Sequence, residues 1–158
     1  SFFLEEFAYF APSLAGALET ARSLLAFCRG EIHRDVVSLQ ELLAELGVNG
    51  AMAPGADSVS GDPVLLRLAL KTLLDQVREE VAPASPVQVR GLSQGGLVRL
   101  SVGAADGAPK VATGAAVRQS IEVSVNLVRR IVELHGGTLG VERTEAAPTR
   151  YVVSLVPA

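Results

Sequence analysis

The chain has 158 residues, nearly half of them apolar, and a net charge of −3. That length and apolar fraction suit one folded domain with a helical appendage and argue against disorder. Scattered arginines without a basic stripe speak against nucleic acid, no apolar run is long enough to span a bilayer, and a lone Cys28 excludes an intramolecular disulfide or a cysteine zinc cluster.

The aromatic residues cluster at the start. Phe3, Phe7, Phe10, Leu14, Ala17, Ala21, Leu24 and Cys28 recur at alternating steps of four and three, a helical seam of the coiled-coil or bundle kind. Pro12 removes an amide donor within it, which predicts a kink or two helices, and Gly30 is a suitable stop. Residues 1–31 therefore read as a helical segment that dimerises through Phe3, Phe7, Phe10, Leu14 and Leu24. Cys28 on the same seam reads as a small packed hydrophobe.

Ile32 to Val37 is a short strand candidate that carries His33, read as locally hydrogen-bonded. Ser38-Leu39-Gln40-Glu41 forms a capping box for a helix bearing Leu39, Leu42, Leu43 and Leu46, which Gly47 closes. Residues 48–61 are rich in small residues and Pro, with room for one strand around Ala51–Ala53 and then a loop. Asp62-Pro63 starts the next helix, whose stripe is Leu66, Ala69, Leu70, Leu73 and Val77. Val87–Leu92 and Leu97–Val102 read as a hairpin turning at Gln94-Gly95-Gly96, and residues 103–116 as loop. A long helix with Ile121, Val125, Val128, Ile131, Val132 and Leu134 inward ends at Gly136-Gly137. Thr138–Glu142 and Arg150–Val156 finish the chain as a hairpin around Ala147-Pro148. Helices with one apolar stripe, alternating with mostly antiparallel strands, imply a two-layer α/β sandwich.

The run from Asn126 through Ile131-Val132-Glu133-Leu134-His135-Gly136-Gly137 to Val141-Glu142 resembles the last helix and following strand of sensor histidine kinases. Gly61-Asp62-Pro63 through Leu73-Leu74-Asp75 resembles that family's G-D-P helix, and Leu24-Leu25-Ala26-Phe27-Cys28-Arg29 the end of its second dimerisation helix. The resemblance covers residues 13–158 and implies a dimeric helix hairpin followed, over residues 32–158, by a Bergerat-type ATP-binding domain. It further implies ATP and magnesium as ligands, a response regulator as partner, and a bacterial two-component pathway.

At the positions that would touch nucleotide the pattern is broken. Gln76 stands where the family's metal-binding Asn belongs, and Glu79 replaces its Lys. Gln76 could still offer an oxygen to a hard cation, but Glu79 adds negative charge beside phosphate. Ala104 occupies the place of the adenine-binding Asp, so Asp106-Gly107 would serve only with a two-residue slip. Ile121 to Val125 lack both glycines of the second glycine box, whose amides should meet phosphate. The lid is about a dozen residues long, and the family's acceptor His motif is absent. Ser1 in place of an initiator Met implies that the chain starts inside a longer protein, where an acceptor His would have to lie. His135 sits where the family carries a His without catalytic duty, and Arg129 and Arg130 read as a solvated face with a phosphate contact as the alternative.

The reading is a degenerate histidine-kinase-like cytoplasmic protein without a cofactor, acting by homodimerisation and partner binding. The alternatives are an active kinase using Gln76 for magnesium and Asp106-Gly107 for adenine, a histidine phosphotransferase, and a structural adaptor.

Overall fold

A computed structural model describes residues 16–111, 114–145 and 147–158. Its elements in chain order are helix α1 (16–28), strand β1 (Asp35–Ser38), α2 (Leu39–Glu45), β2 (Gly50–Met52), β3 (Ser58–Gly61), α3 (Pro63–Glu79), β4 (Val87–Gln94), β5 (Leu97–Ala104), α4 (Ala115–Leu134), β6 (Thr138–Glu142) and β7 (Arg150–Leu155). Phe3, Phe7, Phe10, Pro12 and Leu14 lie outside the described residues.

The main sheet has the order β2-β4-β5-β7-β6, and only its β2–β4 pair is parallel. Alternate residues Val89, Val98, Leu100, Val102, Tyr151, Val153 and Leu155 are buried, which is the period-two signature of a sheet covered on one face. Helices α3 and α4 pack on that face and on each other. The expected two-layer α/β sandwich is present.

The β4–β5 hairpin turns at Gly95-Gly96, with φ of 62° and 77°, because a two-residue connection needs left-handed backbone at both positions. Asp62 caps α3 as expected, its carboxylate accepting from the amides of Val64 (2.9 Å) and Leu65 (3.3 Å), two of the first turn's otherwise unpaired donors. The buried stripe of α3 is wider than the five residues read from spacing, since Leu65 and Leu74 are buried too. On α4, Leu134 is only half-buried, at the end of the helix.

Three local expectations are corrected. The first strand begins at Asp35 rather than Ile32, because its partner β3 ends at Gly61 opposite Asp35 and Asp62 then opens α3, leaving residues 32–34 nothing to pair with. Residues 58–61 are strand and not loop: β3 pairs with β1 and, on its other side, Ser60 N–H donates to the Val156 carbonyl at 2.9 Å. The capping box is half built. Ser38 Oγ accepts from Glu41 N–H (3.3 Å), but among the described residues the Glu41 carboxylate does not reach back to Ser38 N–H, and Asp57 instead takes the Gln40 amide at 2.8 Å.

Helix α1 touches the domain at few points. Ser23 is buried and donates to Asp62 Oδ1 at 3.3 Å, and Phe27 packs half-buried against the core. Leu18, Leu24 and Leu25 face outward, and Cys28 is exposed rather than packed, because the seam it belongs to has no cover within the described chain. Gly30, at φ 75°, ends the helix.

Candidate functional site

A cleft of about 550 Å³ lies just beyond the segments that the resemblance assigns to nucleotide and includes residues of only the third, Ile121 and Glu122. It is lined by Glu80 at the end of α3, Lys110 and Val111 of the β5–α4 loop, Arg118, Ile121 and Glu122 of α4, and Arg143 and Glu145 of the β6–β7 loop. Three carboxylates and three cations face it, so the walls carry no net charge.

Glu80 is the buried member of this set. The chain turns at this residue as α3 ends, which aims its side chain across to the β6–β7 loop. Its carboxylate accepts from Thr149 N–H at 2.6 Å and Thr149 Oγ–H at 2.9 Å, with Lys110 Nζ at 4.0 Å. The same residue's carbonyl accepts from Val111 N–H at 2.8 Å. Charge-assisted hydrogen bonds of this length offset the desolvation of a buried carboxylate. Burial, reinforced by the nearby Glu80 charge, pushes the Tyr151 phenol up to about 12.

The residues singled out from sequence do not come together here. Gln76 is half-buried on α3, its Oε1 enclosed and without a hydrogen-bond partner, and it does not line the cleft. Glu79 is exposed. Asp106 sits on the outer sheet face between Arg90 (3.7 Å) and Arg150 (3.6 Å). Gly107, at φ 81°, forms the tight turn in which Ala108 N–H donates to the Ala105 carbonyl. Both line a neighbouring concavity with Ala147, Pro148 and Arg150. Helix α4 opens at Ala115, so Ile121 to Val125 are already mid-helix, where amides are spent on the helix itself.

Magnesium in a nucleotide site takes most of its octahedral oxygens from water and phosphate and one or two from the protein. Among the described residues no group of three or more His, Cys, Asp or Glu could hold a metal, and the one oxygen at the expected position is enclosed. The one donor at the family's metal-binding position, Gln76 Oε1, is enclosed and outside the cleft, so it does not fit that role.

His135 lies elsewhere, fully buried behind Gly61. Its Nε2 accepts from Asp62 N–H at 3.0 Å, so the proton is on Nδ1, which donates to the Ile131 carbonyl at 2.7 Å. Burial pulls its pKa below the usual value against the effect of that carbonyl. His33 is exposed just ahead of β1. Arg129 donates to Asn126 Oδ1 at 3.2 Å and lines a shallow groove with Arg143, and Arg130 is exposed.

Sequence reasoning missed Glu80, Thr149, Lys110, Arg118 and Arg143. Only the hydrophobic spacing hinted at Glu80, since it follows Val77 by three residues on the buried side of α3.

No protein-family model matches the chain, and no curated protein matches its sequence. Solved structures do. A histidine kinase from Burkholderia phymatum superposes with a TM-score of 0.63 at 18% identity, covering 99% of this chain and 86% of that one. Full-length ShkA, solved in complex with AMPPNP, gives 0.62 at 20% identity over 100% of this chain and 40% of its own. The ATP binding domain of PrrB from Mycobacterium tuberculosis gives 0.54 at 19%, covering 79% and 98%. At such identities the likeness establishes the fold, and this chain has the histidine-kinase ATP-binding fold. No helix among the described residues is long and apolar enough to cross a membrane.

Proposed function

We propose that the chain is a degenerate histidine-kinase-like signalling protein of a bacterial two-component pathway, working in the cytoplasm by dimerisation and partner binding. Residues 1–31 form the dimerisation segment, with Phe3, Phe7, Phe10, Leu14 and Leu24 at the interface, and residues 32–158 form an ATP-binding-type domain whose affinity for magnesium-ATP is weak or lost. The partner is a response regulator or another signalling protein.

One observation carries this reading. The cleft next to the assigned segments has a buried glutamate at its inner wall, and neither Gln76 nor Asp106 lines it. A fold kept without its ligand contacts serves a protein surface. Calorimetric titration with magnesium-ATP tests it: no heat up to millimolar nucleotide is expected, and micromolar binding would overturn it.

The orphaned oxygen of Gln76 favours a second reading, an active kinase that recruits magnesium there and adenine at Asp106-Gly107. It requires the same titration to give saturable, magnesium-dependent heat that Gln76→Ala abolishes.

A further inference from the structure

We propose that the outer face of the sheet carries an anion site, built by Arg90 and Arg150 across β5, that takes a phosphate dianion, free or as the phosphoryl group of a phosphate monoester. The site lies on the face turned away from α3 and α4, so it does not depend on whether the cleft binds nucleotide.

Strand alternation puts both arginines there. Val89 and Tyr151 are buried in the core, so their neighbours Arg90 on β4 and Arg150 on β7 point outward. Among the described strand residues on this face, Arg90, Arg99 and Arg150 are cations and Glu142 is the one acid. β5 runs between β4 and β7, which sets these two strands about 10 Å apart. Like charges gain nothing by approaching unless an anion lies between them. Yet the two guanidiniums converge over β5 on one carboxylate, Arg90 Nη2 at 3.7 Å from Asp106 Oδ2 and Arg150 Nη2 at 3.6 Å from Oδ1.

β5 permits the convergence because it raises no large side chain in the way. Ser101 stands opposite Arg90, and Gly103 stands opposite Gln88. Arg150 lies across the glycine, its Cγ and Nε 3.5 Å from where a Cβ would stand. Gln88 Oε1 accepts from Arg90 at 3.3 Å and braces that arm. Between the arms is a dent of about 20 Å³ lined by Gln88, Arg90, Ser101, Gly103, Ala104 and Arg150, room for one oxygen atom.

Asp106 fills this place poorly. Both its contacts are longer than a hydrogen bond, all three side chains are about half-exposed or more, and it brings one charge to two. A phosphate monoester brings nearly two charges and three acceptor oxygens, which guanidinium forks match with paired N–H donors. One oxygen enters the dent beside the Ser101 hydroxyl, the others meet the two arginines, and Asp106 is displaced.

Amide chemical shifts during titration with inorganic phosphate test the site, at about pH 7.5 and constant ionic strength, where the dianion prevails. Saturable shifts are expected at Ser101 and Gly103, with Leu66 and Leu73 of α3 unmoved. Arg90→Ala and Arg150→Ala should each weaken binding about tenfold. Asp106→Asn removes the competing carboxylate and should tighten binding about threefold. Glu45→Gln makes the same change of net charge on α2 and should leave binding as it is. A second titration uses phenyl phosphate: binding at least as tight assigns the site to a phosphoryl group on a larger molecule, and binding of the inorganic ion alone assigns it to free phosphate. Absent or unsaturable shifts, equal shifts with chloride, binding that survives both arginine substitutions, or an Asp106→Asn variant that binds no better would overturn the proposal.

Discussion

Asp62 and His135, separated by 73 positions in the chain, are joined by a 3.0 Å hydrogen bond from the Asp62 amide to the imidazole Nε2. The bond fastens the start of α3 to the end of α4. It sits in a fully buried spot where the imidazole is neutral, and Gly61 leaves the room for it.

Acid is expected to loosen this joint. Burial lowers the folded pKa of His135 from 6.5, so below that value the unfolded chain binds more protons than the folded one. Its contribution to stability is complete above pH 6.5 and is lost as pH falls from there through the folded value. Urea midpoints at about pH 8 and about pH 5.5 should differ more in the native protein than in His135→Gln. Equal pH dependence in the two would count against the assignment.

Gly61→Ala should destabilise the domain. The new Cβ would fall 2.6 Å from His135 Cδ2 and 2.8 Å from Leu66 Cδ1, both held in the core. Overpacking of this kind costs about 1–3 kcal/mol, measurable as a lowered urea midpoint at unchanged slope. A variant as stable as the parent would mean that the imidazole can move aside.

Ser23→Ala separates the appended helix from the domain. Ser23 reaches Asp62 Oδ1 while that oxygen also caps α3, so the alanine should leave domain unfolding nearly unchanged. Protease cutting between residues 28 and 34 should become faster. Asp62→Ala removes the cap as well, at about 1–2 kcal/mol of domain stability. Identical effects of the two substitutions would show that the contact and the cap are not separable.

For the dimer proposed through α1, Leu24→Asp is expected to leave only monomer in sedimentation. Leu24 is 39% exposed in the single chain, on the face of α1 turned away from the domain, so a charge there meets no intrachain partner. A dimer that survives this change would place the interface elsewhere.

Where the fold was legible in sequence, local chemistry and burial agreed. Asp62-Pro63, Gly95-Gly96 and the stripes of α3 and α4 each combine a backbone requirement with a hydrophobic period, and they fall where expected. Strand β3 was not legible: Ser58–Gly61 contains a single apolar residue, Val59, and owes its form to β1 and the chain end pairing on either side. The cleft was the least legible part. A family pattern tells where ligand residues should stand, and so directs attention to Gln76 and Asp106. It gives no sign that Asp106 is drawn to Arg90 and Arg150, or that Glu80 finds Thr149 69 positions away. Such pairings depend on long-range packing that neither spacing nor propensity encodes.

Helix α3 carries Asp62 at one end, where α1 attaches, and Glu80 at the other, where the two loops attach. Its 17 residues make a rod about 26 Å long. Tilting such a rod by about 5° displaces its far end by about 2 Å, more than the distance tolerance of a hydrogen bond. Because seven of its residues are buried, α3 cannot take even that tilt without repacking the core, so the rod keeps the attachment of α1 and the Glu80–Thr149 pair at a fixed separation.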